Sequence, residues 1–167
     1  NKFSIILQLM LIIKYFNDNG LVYRDLKPNN VIVDNNNTVF VIDFDRMVPE
    51  KAGKAKIYTS DFGEFAAPEV NYGQITTKND IYSLGKMIYY ILDKKNLNKT
   101  INETEFEKNN SLILEYCQSF VSENPNNRPS IFDILFVINS IFPSQINSLS
   151  IRSTPEFQFF QNIINVK

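Results

Sequence analysis

Four residues carry groups that could do chemistry together: Asp25, Lys27, Asn30 and Asp43. The first three lie in "YRDLKPNN", directly before a short apolar run; the fourth follows a second run, in "VIDFD". The two runs, Val31–Val33 and Val39–Ile42, are rich in β-branched residues and are separated by "DNNNT", a segment that tolerates turn geometry. They predict a hairpin. A hairpin returns the chain to its starting end, so Asn30 and Asp43 should emerge side by side. An amide oxygen next to a carboxylate makes a hard-oxygen site of the kind that suits Mg²⁺, which takes few protein ligands and leaves the rest to water and phosphate. Asp25 is within reach to accept a hydrogen from a hydroxyl, and Lys27 to offset phosphate charge. These parts suit phosphoryl transfer, in which positioning and charge stabilisation do most of the work.

The composition narrows the alternatives. There is no histidine, and Cys117 is the only cysteine. Ser-His-Asp and Cys-His catalysis, His-ligated metals, Cys-based zinc clusters and internal disulfides are therefore excluded. A net charge of -1 gives no reason to expect a nucleic-acid or anionic-membrane partner. No apolar run approaches the roughly 20 residues that span a bilayer. The expected location is the cytoplasm.

The elements that must position these groups are mostly helical. Phe3, Ile6, Leu7, Met10, Leu11, Ile13 and Tyr15 form a broad helical stripe that "NDNG" ends, with Gly20 as a left-handed cap. Residues 43–69 show no period. Beyond them, helices are predicted in "TTKNDIYSLGKMIYYILD" (Thr76 or Thr77 as N-cap), near "ETEFEKNN", in "SLILEYCQSFV", and in "SIFDILFVINSIF" with Ser130 as cap. The tail "RSTPEFQFFQNIINVK" has the apolar spacing of a docked helix. With 44% apolar residues the chain suits one core, and the fold class is mainly α with one small hairpin.

Joint order and spacing add a resemblance. "YRDLKPNN" resembles the protein-kinase catalytic loop H-R-D-L-K-P-x-N, "VIDFD" the D-F-G motif, and "AAPE" (Ala66–Glu69) the A-P-E motif. "DIYSLG" (Asp80–Gly85) is similar to the start of that family's buried central helix, and "NPNNRPS" (Asn124–Ser130) to the segment with its late arginine. The resemblance implies the helical C-terminal lobe of an α+β kinase domain over residues 1–142, with 143–167 as a tail. It implies Asp25 as base for a protein hydroxyl and Lys27 on the transferring phosphate, as in serine/threonine kinases. Asn30 and Asp43 would hold magnesium on ATP, with Ile32 beneath the adenine. Tyr23 and Phe44 would stack, Asp80 would brace the loop backbone, and Glu69 would pair with Arg128. Arg24 would receive a phosphate on Tyr58, Thr59 or Ser60.

The sequence also departs from that pattern. Tyr23 stands for the usual His, Asp45 for the Gly of D-F-G, and Phe62 for a customary Thr. The interval from Asp93 to Asn110 is short for the family. No G-x-G-x-x-G loop, V-A-I-K-like lysine or partner glutamate precedes the catalytic loop. The resemblance thus implies that the N-terminal lobe lies in sequence upstream, as the partner that completes the site. The alternative reading is a non-catalytic, pseudokinase-like scaffold.

Overall fold

A computed structural model of the chain describes residues 2–54, 63–92 and 111–143. Along these residues run helix α1 (Lys2–Asp18), strands β1 (Leu21–Val22), β2 (Val31–Val33), β3 (Val39–Val41) and β4 (Val48–Pro49), and helix α2 (Lys78–Leu92). A third helix, α3, includes 111–117, and α4 covers Ile131–Ile141. The predicted helices near "ETEFEKNN" and in the tail, and Phe62, lie outside the described residues.

The apolar faces explain the packing. Ile6, Leu7, Leu9, Met10 and Ile13 of α1 are fully buried. So are Ile81, Leu84 and Ile88 of α2 and Ile134, Leu135 and Ile138 of α4. Each such side chain stabilises the fold by about 1.5–3 kcal/mol relative to exposure. α1 lies against both α2 and α4, and the Phe3 and Phe142 rings, 5.3 Å apart, close the far end. At the other end Gly20 ends α1 at φ 66°, where a residue without Cβ is unstrained, and its N–H donates to Asn17 O at 2.9 Å.

The caps follow the sequence. Ser130 Oγ accepts from the Asp133 N–H at 3.2 Å, and Asp133 Oδ2 accepts from the Ser130 N–H at 3.1 Å, a reciprocal capping box. At α2, Thr76 Oγ1 accepts from the Lys78 N–H and Asn79 Oδ1 from the Thr76 N–H.

The β2–β3 hairpin pairs Val31 with Val41, Ile32 with Phe40 and Val33 with Val39. It is one residue shorter than the predicted run, because Ile42 leaves the ladder while still donating to Asn30 O at 3.0 Å. A second ladder, β1–β4, pairs Val22 with Val48 and Leu21 with Pro49. Two-residue strands carry no readable period, so residues 43–69 look structureless in sequence although β4 lies within them.

Helix α3 stops at Cys117 and not at the predicted Val121. The chain turns there, with the Phe120 N–H donating to Cys117 O at 3.0 Å. The turn seats Phe120 and Val121 against Gly85 in the middle of α2. A Cβ built on Gly85 would stand 2.8 Å from Phe120 Cβ and 2.9 Å from Val121 Cγ1. Gly85 is therefore a close-approach glycine: the turn and the helix touch because one side chain is missing. Substituting Gly85→Ala is expected to destabilise the protein by about 1–3 kcal/mol through overpacking, despite alanine's higher helix propensity. A shift of the urea midpoint to lower concentration at constant slope is the readout.

Candidate active site

The site is built on a strained loop. β1 leads into Tyr23 and Arg24, and Arg24 has φ 70°, a left-handed conformation that costs a non-glycine residue on the order of 1–3 kcal/mol. Asp80, near the start of α2, holds it there. Its Oδ2 accepts from the Tyr23 N–H and its Oδ1 from the Arg24 N–H, both at 2.8 Å. Asp80 is wholly buried. Burial pushes its carboxyl up to about 6, while the two backbone N–H groups and the Arg24 charge pull the other way. Helix α2, locked in the core, thereby fixes a loop some 55 residues earlier in the chain.

Asp25 follows at once and is nine-tenths buried. Its Oδ2 accepts from Lys27 Nζ at 2.9 Å and from Asn30 Nδ2 at 2.8 Å. Its Oδ1 accepts from Lys27 Nζ at 3.1 Å and from an Arg46 guanidinium nitrogen at 3.3 Å. Asn30 Nδ2 also donates to the Asp25 carbonyl at 2.9 Å. The amide nitrogen is thus committed to Asp25, and Asn30 Oδ1 remains the acceptor for a ligand.

The hairpin brings Asp43 to the same mouth. The Ile42 N–H donates to Asn30 O, and Asp43 is the next residue, exposed and at φ 63°. An amide oxygen and an exposed carboxylate at one mouth are donors that fit a magnesium ion carrying phosphate oxygens. Beside Asp25, toward Gly63, Phe65, Ala66 and Ser83, lies a cleft of about 30 Å³, room for a water-sized group.

Aromatic rings support the mouth from behind. Tyr23 and Phe44 meet at 5.7 Å and Phe16 touches both, at 5.8 and 6.1 Å. The Tyr23 hydroxyl donates to Ile42 O. Burial, then the nearby Asp25 charge, pushes the phenol well above its ordinary range.

The remaining sequence-predicted residues fall in three places. Ile32 is half exposed, on the outer hairpin face beside Phe40, so it is no core residue. Arg24 is buried, and Tyr58, Thr59 and Ser60 lie outside the described residues. Glu69 and Arg128 meet away from the hairpin in a buried fork, with nitrogen–oxygen distances of 2.6 and 2.8 Å. Removing either partner of such a pair costs on the order of 3–5 kcal/mol. Asn79 completes it, donating to Glu69 Oε1 at 2.6 Å, and Tyr82 lies 5.0 Å beneath the guanidinium.

Asn79 and Arg46 show no sign of these contacts in the sequence. Asn79 precedes a motif residue but belongs to no motif. Arg46 carries no motif signal either; it lies in the turn that the Met47 N–H closes on Phe44 O, directly ahead of β4.

The family described as the protein kinase domain matches residues 2–164. This chain belongs to the protein kinase domain family. A protein of Acanthamoeba polyphaga mimivirus, provisionally named a serine/threonine-protein kinase, is 31% identical over 154 residues, covering 81% of this chain and 55% of its own length. The serine/threonine-protein kinases PSK2 and PSK1 of Saccharomyces cerevisiae are 33% and 31% identical, each over 76% of this chain. The chain spans about half the length of the viral relative and about a tenth of the yeast ones. No described helix is long and apolar enough to cross a membrane.

Asp80 gives this kinase-family chain a pH signature. Its folded value, about 6, lies above its ordinary 3.8, so the fold favours the neutral form. The stability it contributes is complete below pH 3.8 and is lost as pH rises through 6. Asp80→Asn should remove that component, so that the parent-minus-variant difference in unfolding free energy falls by about 3 kcal/mol from pH 4 to pH 7. Denaturant titrations at four or five pH values check it.

Proposed function

We propose that the chain is the substrate-binding, helical half of an ATP- and magnesium-dependent protein kinase directed at serine and threonine hydroxyls. The observation that carries the reading is the convergence of Asp25, Lys27, Asn30 and the Asp43 backbone at one hairpin mouth. ATP supplies the phosphoryl group, and magnesium offsets its charge. Asn30 and Asp43 would hold the metal through their oxygens. Asp25 orients the acceptor hydroxyl and takes its proton as the oxygen bonds to the γ-phosphorus and the bond from that phosphorus to ADP breaks. Lys27, now on Asp25, turns to the transferring phosphate. Ile32 offers its exposed side chain to the adenine. Asp80 positions the loop, and the Glu69–Arg128 fork fixes the A-P-E segment beneath it. Arg24 answers a phosphate on the segment that contains Tyr58, Thr59 and Ser60.

This reading assigns residues 1–142 to the C-terminal lobe and 143–167 to a tail. It assigns the phosphate-covering N-terminal lobe to sequence upstream. A patch of exposed apolar residues supports this: Ile32, Phe40, Ile42 and Phe44 on the hairpin and its exit, with Tyr15 on α1. Such a patch marks a surface that another element covers. The second reading, a scaffold of the pseudokinase kind, is favoured by Asp45, which puts a side chain and a negative charge where the family's glycine would stand.

Radiolabelled phosphate transfer by the full-length protein separates the two. Asp25→Asn should lower kcat by about 10²–10⁴ while leaving Mg·ATP affinity within a few fold. The isolated 167-residue chain should transfer little or no phosphate. Equal transfer by the parent and Asp25→Asn would eliminate the base assignment.

A further inference from the structure

We propose that Gln8 of α1 is a positioning residue for the metal site: its amide holds the β2–β3 hairpin in the register that sets Asp43 beside Asn30. The inference rests on the assignment of Asn30 and Asp43 to the metal of a bound nucleotide.

Three observations carry it. First, β3 has an open edge. The Asp34 N–H donates to Thr38 O and the Ile42 N–H to Asn30 O, both at 3.0 Å, so the even-numbered residues of the returning strand turn their backbone groups toward β2. The odd-numbered ones turn theirs the other way, where β3 has no second neighbour among the described strands. Second, Gln8 occupies that edge. Its Oε1 accepts from the Val39 N–H at 3.1 Å, and its Nε2 donates to Asn37 O at 2.7 Å. A side-chain amide thus pairs with the strand as a neighbouring peptide group would. Nε2 also donates to Ser4 O and Ser4 Oγ, both at 3.3 Å, which orients the amide from its own helix. Third, the grip falls on the one residue of β3 that is fully buried, Val39.

The consequence is felt at the mouth. A ladder of three residue pairs is marginal on its own. A slip of one residue would turn Val39 out of the core and break both Gln8 bonds at once. Asp43 lies four residues beyond Val39, so whatever fixes Val39 along α1 fixes where the carboxylate emerges. Tyr23 holds the mouth end of the hairpin through Ile42 O, and Gln8 holds the opposite end. Without the second hold, the competent register is only part of the population, and the apparent affinity for the metal falls by that fraction.

The test uses the full-length protein with Mn²⁺·ATP as the probe, free Mn²⁺ being read from its electron paramagnetic resonance signal. Gln8→Met keeps the length of the side chain and removes both bonds. It should weaken Mn²⁺·ATP binding about fivefold, the size of one net hydrogen bond. Gln8→Glu keeps the acceptor for Val39 and should lose about twofold; it carries the test alone should Gln8→Met not fold. Ile138→Val, in the buried face of α4, is the control: it lowers stability to a similar degree without touching the hairpin, and should bind as the parent does. In metal-free protein, amide hydrogen exchange across residues 31–41 should quicken in Gln8→Met and stay at the parent rate in Ile138→Val. Parent-like affinity in the Gln8 variants, or an equal loss in Ile138→Val, would overturn the inference alone. Parent protein that binds no Mn²⁺·ATP, or binds it as well after Asp43→Asn, would overturn the metal reading and the inference with it.

Discussion

The buried carboxylate of Asp80 is the constraint on which the site depends. A loop that carries Asp25 through a left-handed arginine is unfavourable on its own. Two backbone N–H groups donating to one carboxylate make it the preferred conformation. The cost is the desolvation of Asp80, visible as its raised pKa. That cost is offset by the depth of α2 in the core, where Ile81, Leu84 and Ile88 anchor the helix on either side of Gly85. Packing, strain and chemistry meet in three consecutive residues, Tyr23 to Asp25.

From that loop outward the site is layered by rigidity. The Phe16, Tyr23 and Phe44 rings stiffen the base of the hairpin mouth, and the Tyr23 hydroxyl takes up the Ile42 carbonyl. Asn30 is locked to Asp25 by two hydrogen bonds from one amide nitrogen. Asp43 stands exposed at the mouth. On the far side the Glu69–Arg128 fork, with Asn79 and Tyr82, ties the A-P-E segment, the start of α2 and the turn before α4 together.

How much of this was legible depends on the range over which each signal acts. Helices α1, α2 and α4, the hairpin and the Ser130 cap are written in local periodicity and cap chemistry. The motif residues were legible through their order. What escaped is long-range and motif-free. The β1–β4 ladder is two residues long, too short for any period to show. Arg46 reaches Asp25 from a turn 21 residues further along the chain. The turn that follows α3 packs Phe120 and Val121 on Gly85, more than 30 residues earlier in the chain. The exposure of Ile32 depends on which hairpin face the core takes, and Val31 and Ile32 read alike in sequence.

The central claim is that Asn30 and Asp43 form one metal site for a nucleotide, held open by the loop that Asp80 braces. Paramagnetic broadening by Mn²⁺ in the presence of ATP tests it most directly, because fast exchange makes even weak binding visible in the amide signals. The account predicts broadening centred on residues 30, 42 and 43, sharply reduced in Asp43→Asn. Broadening that is absent, or that centres elsewhere on the chain and persists in Asp43→Asn, would contradict it.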